Sequence, residues 1–318
     1  MKQDILEEVS IFLLRKGYIL KSFTRTCFDI LARLDERILL IKVIEDANSL
    51  SHSAIEEMKV ISSYLQASPV IISDKAHLEL ENNVVYTRHG VYTLNFASFK
   101  SAIDNRYPFL QSNQAGITAN INHSRFKHAR ELQGYSLNSL ARKIGLSRKT
   151  VEKYETKNSQ LTLTNAVKVF NALGNAIFEK VDIFAANLPE KTTSVKSNFH
   201  VQTNSNYDPN LNASEISNKY SSLGFKAVQT HKAPFDVVAK LDKEIILTEL
   251  GDKKADRKTA QLQSISRIIG ADNLIIYDRK KPTLFKEELR EDIPILKKDD
   301  FLEFEKAKEL IRFLRVFK

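Results

Sequence analysis

The chain has 318 residues, a formal net charge of +9, 42% hydrophobic residues and a single cysteine, Cys27. That length admits two or three domains of ordinary size, and a lone thiol excludes an intrachain disulfide or a multi-thiolate metal site, leaving Cys27 as a small buried hydrophobe. No apolar run approaches the roughly 18 residues of a membrane span, and the acidic, amphipathic start MKQDILEEVS carries no targeting pattern, so the expectation is a cytoplasmic protein with no membrane contact whose positive charge suits a polyanionic partner.

The first elements are legible from periodicity. DILEEVSIFLLRKG places Ile5, Val9, Phe12 and Leu13 at helical spacing and stops at Gly17. FDILARL (28–34) and RILLIKVI (37–44), joined by Asp35-Glu36, predict a β-hairpin. SHSAIEEMKVISSYLQA (51–67) predicts a helix, and PVIIS (69–73) the buried strand after it. A strand, helix and strand in that order form a crossover, so the sheet is mixed. His89-Gly90 reads as a hairpin tip, and LQSNQAGITANINHS (110–124) as a short ordered connection.

The middle of the chain changes character. Residues 121–185 hold eleven basic and five acidic residues, so a short stretch carries most of the excess charge. FKHARELQ (126–133) is a short amphipathic helix. Ser136 can cap a helix with Leu137, Leu140, Ala141 and Ile144 on one face. Gly145 follows where a positive φ is wanted, and Ser147 can cap a second helix with Val151 and Tyr154 facing inward. Helix, tight turn and capped helix make a helix-turn-helix, closed by a further helix in TLTNAVKVFNALG (162–174).

After the polar stretch KTTSVKSNFHVQTNSNYDPNLNAS (191–214) the opening returns. FDVVAKLDKEIILTEL (235–250) repeats FDILARLDERILLIKV (28–43) at a shift of 207, which also sets Gly224 on Gly17, Phe225 on Tyr18 and Glu215 on Glu8. DRKTAQLQSISRIIG (256–270) and NLIIYD (273–278) repeat the helix and strand, and DIPILKKDDF (292–301) lies over GVYTLNFASF (90–99). One period this long means a duplicated domain rather than a solenoid. The expected domains are therefore residues 1–120, 121–185 and 214–318, with a polar linker at 186–213. Phosphate-loop, dinucleotide-loop and HExxH patterns are absent.

The duplicated pattern, clearest in GFKAVQTHKAPFDVVAKLDKEIILTEL (224–250), resembles the archaeal Holliday-junction resolvases of the PD-(D/E)XK nuclease superfamily. The resemblance implies a strand Asp and a Glu on the next strand holding a divalent metal, with a Lys two residues beyond the Glu acting on water. Both copies depart from it. Asp236 and Glu249 stand in the second copy, but Gly251 takes the lysine position, with Lys253 and Lys254 nearby. In the first copy Asp29 remains, Lys42 replaces the second acid and Ile44 the lysine. A cation in place of a ligand repels metal. The expectation is two degenerate scaffolds without metal or cofactor, Asp29 and Asp236 surviving as hydrogen-bonding residues or, in the first copy, as an Asp29–Lys42 salt bridge.

The middle segment resembles the DNA-binding domain of the phage Cro and repressor family over about 50 residues, with Leu140, Ala141, Gly145, Val151 and Tyr154 at its packing and turn positions. That resemblance assigns base reading to Arg148, Lys149 and Lys153, and phosphate contacts to Ser147, Lys157 and Asn158. Glu152 is expected to face a neighbouring cation rather than a cytosine. The full arrangement is similar to a family of archaeal proteins described as Cro-type transcriptional regulators. It implies α/β plus all-α architecture: two restriction-endonuclease-like domains flanking a lambda-repressor-like helix-turn-helix bundle. The expected function is sequence-specific regulation of transcription on double-stranded DNA, as a homodimer in the cytoplasm or on the nucleoid and without enzymatic activity. The alternative is a metal-dependent nuclease of branched or damaged DNA, working through the C-terminal domain.

Overall fold

A computed structural model describes residues 2–114, 116–185, 209–251, 256–279 and 293–316. Helix α1 (Lys2–Arg15) buries Val9 and Leu13 and ends before Gly17, whose φ of +85° few other residues tolerate. Strands β1 (Ile19–Ser22), β2 (Ile30–Leu34) and β3 (Arg37–Asp46) pair antiparallel; the two-residue turn at Asp35-Glu36 is made possible by Asp35 at φ +51°. Helix α2 (His52–Leu65) is capped by Ser51, which accepts from the Ala54 amide. It leads into β4 (Ser68–Ala76), with β5 (Leu78–Glu79) folded back on it. β6 (Val84–Arg88) and β7 (Val91–Leu94) form a hairpin whose tip is His89-Gly90, both at positive φ, and β7 runs parallel to β4. Helix α3 (Phe96–Ile103) follows, capped by Asn95.

Next come β8 (Leu110–Asn113), β9 (Gly116–Ile121), α4 (His123–Leu132), α5 (Leu137–Ile144), α6 (Arg148–Thr156), β10 (Ser159–Thr162) and α7 (Leu163–Leu173). The second copy begins with α8 (Pro209–Ser222) and continues through β11 (Lys226–Gln229), β12 (Val237–Leu241), β13 (Glu244–Leu250), α9 (Asp256–Ile269), β14 (Asp272–Tyr277), β15 (Ile295–Lys297), α10 (Lys298–Glu303) and α11 (Ala307–Arg315). The expected linker lies outside the described residues as far as 208, as do Lys253 and Lys254. The duplication is visible in the strand order, β1-β2-β3-β4-β7 in one copy and β11-β12-β13-β14-β15 in the other. In each, an antiparallel pair of hairpin-linked strands adjoins a parallel pair. Phe99 and Phe301, equivalent in the repeat, are both fully buried.

By compactness the chain divides into two units. One holds residues 2–5, 43–50 and 70–185, the other residues 6–42, 51–69 and the C-terminal copy, so β3 and β4 run from one unit into the other. Within the first unit the sheet does not stop at the nuclease-like copy. β6 pairs parallel with β8 (Val84↔Leu110, Val85↔Gln111), β8 pairs with β9, and β9 pairs with β10 (Ser159↔Ile121 to Thr162↔Thr118). Ala119 and Ile121 of β9 and Leu161 of β10 then pack into the core of the helical segment. The helices are thus joined to the preceding domain by backbone hydrogen bonds.

The second unit contains a seam between the two copies. Phe28, Leu31 and Leu40 pack in one core with Phe235, Val238 and Leu247, which are the same positions of the repeat. From the helices and the residues just after them, Met58, Ile61, Leu65 and Ala67 meet Leu262, Ile265, Ile269 and Ala271, again equivalent to one another. Each large apolar side chain buried there contributes about 1.5–3 kcal/mol. Polar contacts close the rim. The Cys27 amide donates to the Lys232 carbonyl (2.7 Å), the Glu57 carboxylate accepts from the amides of His231 (2.7 Å) and Lys232 (2.6 Å), and the Arg33 guanidinium donates to the Ile268 carbonyl (3.1 Å).

Candidate nucleic-acid interface

Local sequence builds the helix-turn-helix one junction at a time. Asn122 caps α4 by accepting from the Arg125 amide (3.0 Å), Ser136 caps α5 through the Ser139 amide (3.1 Å), and Ser147 caps α6 through the Thr150 amide (3.1 Å). These oxygens satisfy amide donors that a helix start leaves open. Gly145 ends α5 in the left-handed conformation, φ +63°, so that the chain turns tightly into α6. Leu140, Ala141, Ile144, Val151 and Tyr154 are all buried in a single core with Phe126, Val169 and Phe178. The Tyr154 ring meets that of Phe126 edge-on at 5.7 Å, and burial raises the Tyr154 hydroxyl above its ordinary pKa.

With Val151 and Tyr154 facing inward, the opposite side of α6 is open. Arg148, Lys149, Glu152 and Lys153 are exposed there, as are Ser147 at its start and Lys157 and Asn158 after its end. No ion pair engages Arg148, Lys149, Lys153 or Glu152 among the described residues. The expected Glu152–cation contact is thus absent. A tight pair on an exposed helix gains only a few tenths of a kcal/mol, which long side chains readily give up to water. The Asn158 side chain is occupied within the domain: its oxygen accepts from the His123 amide (3.0 Å) and ring Nδ1 (2.8 Å), and its nitrogen donates to Glu179 (3.3 Å).

Beneath the open face lies an ion pair. Arg130 of α4 bonds Glu155 of α6 through Nε to Oε1 and through Nη2 to Oε2 (3.2 Å), and a third donor, Nη1, reaches the Tyr135 carbonyl at 2.6 Å. The Glu155 carboxylate raises the guanidinium pKa above its already high value, against the opposing effect of burial. The two-pronged contact with Glu155 fixes α6 against α4, and the bond to Tyr135 spans the turn between α4 and α5.

At the nuclease-like positions, Lys42 Nζ sits 3.2 Å from Asp29 Oδ1 and donates to the Thr26 carbonyl at 2.8 Å, with both side chains largely buried. A divalent cation does not fit there, because the ammonium already stands against the carboxylate. In the second copy Asp236 Oδ2 accepts from the Leu250 amide (2.7 Å), and the buried Glu249 accepts from the Thr259 hydroxyl (3.2 Å). Gly251 brings only backbone, its amide bonded to the Ile276 carbonyl. Among the described residues no three His, Cys, Asp or Glu side chains converge as a metal site would require.

A protein of Archaeoglobus fulgidus named "putative HTH-type transcriptional regulatory protein" is 32% identical over 292 residues, covering 91% of this chain and 89% of its own. The chain belongs to this archaeal family. Another member so named, from Methanocaldococcus jannaschii, is 30% identical over 332 residues and covers 98% of this chain and 99% of its own. A third, from Thermococcus gammatolerans, is 26% identical over 297 residues. A PD-(D/E)XK superfamily domain matches residues 2–108 and a helix-turn-helix domain matches residues 126–179, spanning α4 to α7. No solved structure matches the chain. The two domain matches meet the fold at its graft, since β8 and β9 fall largely between them and join the family's two parts into one sheet.

Three features escaped the reading of the sequence. The Arg130–Glu155 pair joins residues 25 apart on two helices, a separation that local periodicity does not record. The internal role of Asn158 depends on a neighbour 35 positions away. The continuation of the sheet into the helical segment rests on β10, a four-residue stretch, SQLT, that reads as a connection between helices.

Proposed function

We propose that this chain is a sequence-specific DNA-binding regulator of transcription that inserts α6 into the major groove and carries no enzymatic activity of its own. The observation that carries the reading is the capped α5–Gly145–α6 pair, which buries Val151 and Tyr154 and leaves Arg148, Lys149 and Lys153 exposed and without ion pairs among the described residues. In this reading those three cations contact base edges, where Arg or Lys can bond guanine O6 and N7. Ser147, Lys157 and the backbone at Asn158 lie against phosphates, helped by the partial positive charge of the α6 N-terminus. The names of its archaeal relatives support the same role. The flanking nuclease-like copies serve as scaffold, in domains spanning residues 1–120 and 214–318 around the reader at 121–185. The protein works in the cytoplasm, on the nucleoid when bound.

One helix-turn-helix reads a half-site, so we expect a homodimer whose recognition helices stand about one DNA turn, roughly 34 Å, apart. Light scattering with and without DNA tests this; a monomer in both would remove the dimer. The function itself is tested by retaining sheared host DNA on the purified protein at near-physiological salt and sequencing what is held. Enrichment of a few sites sharing a two-fold motif is expected, and uniform retention would refute sequence-specific reading. If added Mg²⁺ or Mn²⁺ led instead to strand cutting that Glu249→Gln abolished, the alternative nuclease would take its place.

A further inference from the structure

The exposed side of α6 carries an acid among its cations, and this acid is unpaired among the described residues. At 100° per residue, Arg148, Glu152, Lys149 and Lys153 fall in order within an arc of roughly 140°, with Glu152 about 6 Å along the axis from Arg148. Glu152 is therefore inside the cationic face. It lies beyond the first turn, so the helix N-terminus gives it little support. Arg148 and Lys149 stand at the four- and three-residue spacings where helical ion pairs form, and Glu56–Lys59 of α2 makes such a pair at 2.8 Å. Glu152 makes none within 4.0 Å among the described residues.

A carboxylate on a surface that meets DNA is repelled by every phosphate. It is favourable only where a hydrogen-bond donor faces it, and the donors exposed in the major groove are the exocyclic amines, N4 of cytosine and N6 of adenine. We propose that Glu152 is a specificity-determining residue that accepts a hydrogen bond from such an amine, at a base step beside the one read by Arg148. This rests on α6 being the recognition helix. Arg148, Lys149 and Lys153 supply attraction that any sequence satisfies in part. Glu152 adds a penalty on sequences that turn a carbonyl or ring-nitrogen acceptor towards it, so it discriminates by repulsion as much as by attraction.

The test selects binding sites from randomised duplex pools with the full chain, wild type and Glu152→Ala in parallel. The wild type should enrich a motif with one position per half-site restricted to cytosine or adenine, and the variant should relax that position alone, by about 5- to 150-fold. Sites carrying N4-methylcytosine or N6-methyladenine at that position, where the methyl group replaces the groove-facing hydrogen, identify the base: the matching one weakens the wild type and leaves the variant unchanged. An unchanged motif with uniformly tighter binding by Glu152→Ala would overturn the proposal, because the carboxylate would then only repel phosphate. If the wild type enriched no motif, the regulator reading would fail and this inference with it. An unchanged motif in the variant defeats this inference alone.

Discussion

Removing one member of the Arg130–Glu155 pair should loosen the reader from within while leaving its DNA-facing side chains untouched. The side chains of Arg130 and Glu155 are only 11% and 10% exposed, so a partner left behind is a largely desolvated charge without its counter-ion. Breaking a buried pair in this way costs about 3–5 kcal/mol. Arg130→Ala additionally strips the donor from the Tyr135 carbonyl, so it should fall at the upper end and Glu155→Ala at the lower. Because the chain divides into two compact units, a single global midpoint is a poor readout. Amide hydrogen exchange of α4 and α6 reports local opening directly. At tenfold per 1.4 kcal/mol, exchange should accelerate by about a hundredfold to a few thousandfold, with the seam amides unchanged. The double variant Arg130→Met, Glu155→Leu, which restores volume without charge, should regain most of the loss. A change below about fivefold in either single variant, or a double variant as fast as the product of both, would refute the assignment of this pair as the brace between α4 and α6.

Arg148→Ala and Lys149→Ala should each weaken the preferred site by about 1–3 kcal/mol, whereas Lys157→Ala should weaken all sequences alike and lower the salt slope by about 1; equal losses from Arg148→Ala on specific and random DNA would contradict base reading. Tyr18 buries a hydroxyl that has no hydrogen-bond partner among the described residues, and its repeat equivalent is Phe225, so Tyr18→Phe should leave stability unchanged or raise it by up to about 1 kcal/mol; a clear fall in the denaturation midpoint would mean the hydroxyl is satisfied. The Cys27 thiol is pushed up to about 12, chiefly by burial and further by the Glu57 carboxylate, with Lys42 opposing. It should resist thiol reagents at pH 8 until the seam opens. Below the unfolded value near 9.0 its contribution to stability is fully present, and it is lost as pH rises from there to about 12; rapid labelling of the native chain would disprove the burial.

What the sequence made legible was local. Ser136, Gly145 and Ser147 announce their caps and turn because each acts on a backbone group within three or four residues, and the structure shows each doing so. The strand Asp of each copy could likewise be placed by aligning the chain with itself. The seam could not: Phe28, Leu31 and Leu40 have the alternation of any half-buried strand, and nothing in that pattern says the covering surface is the other copy. The graft through β8, β9 and β10 was hidden for the same reason, since a parallel pairing such as Val84↔Leu110 leaves no periodic signature in either partner. The expectation that Glu152 faces a neighbouring cation fails because proximity on a helix comes without the geometry that makes a pair.

The two copies within one chain agree most at the positions that pack and differ at the positions the nuclease resemblance assigns to metal. Many of the positions that meet at the seam stayed apolar and of similar size in both copies: Phe28 with Phe235, Leu40 with Leu247, Met58 with Leu262, Ile61 with Ile265. The positions that the nuclease resemblance assigns to metal did not, for Lys42 stands against Glu249 and Ile44 against Gly251. A scaffold selected for its pairing would diverge in this way, since an apolar loss at the seam leaves a cavity costing about 2–5 kcal/mol while a lost metal ligand costs the fold little. The pairing also constrains assembly. Because both copies lie on one chain, the seam forms without a second molecule and buries the faces through which separate copies would otherwise meet. A homodimer of this regulator must therefore use a different surface, and substitutions at the seam such as Leu31→Ala should lower the stability of the chain at every protein concentration rather than shift a dimerisation equilibrium.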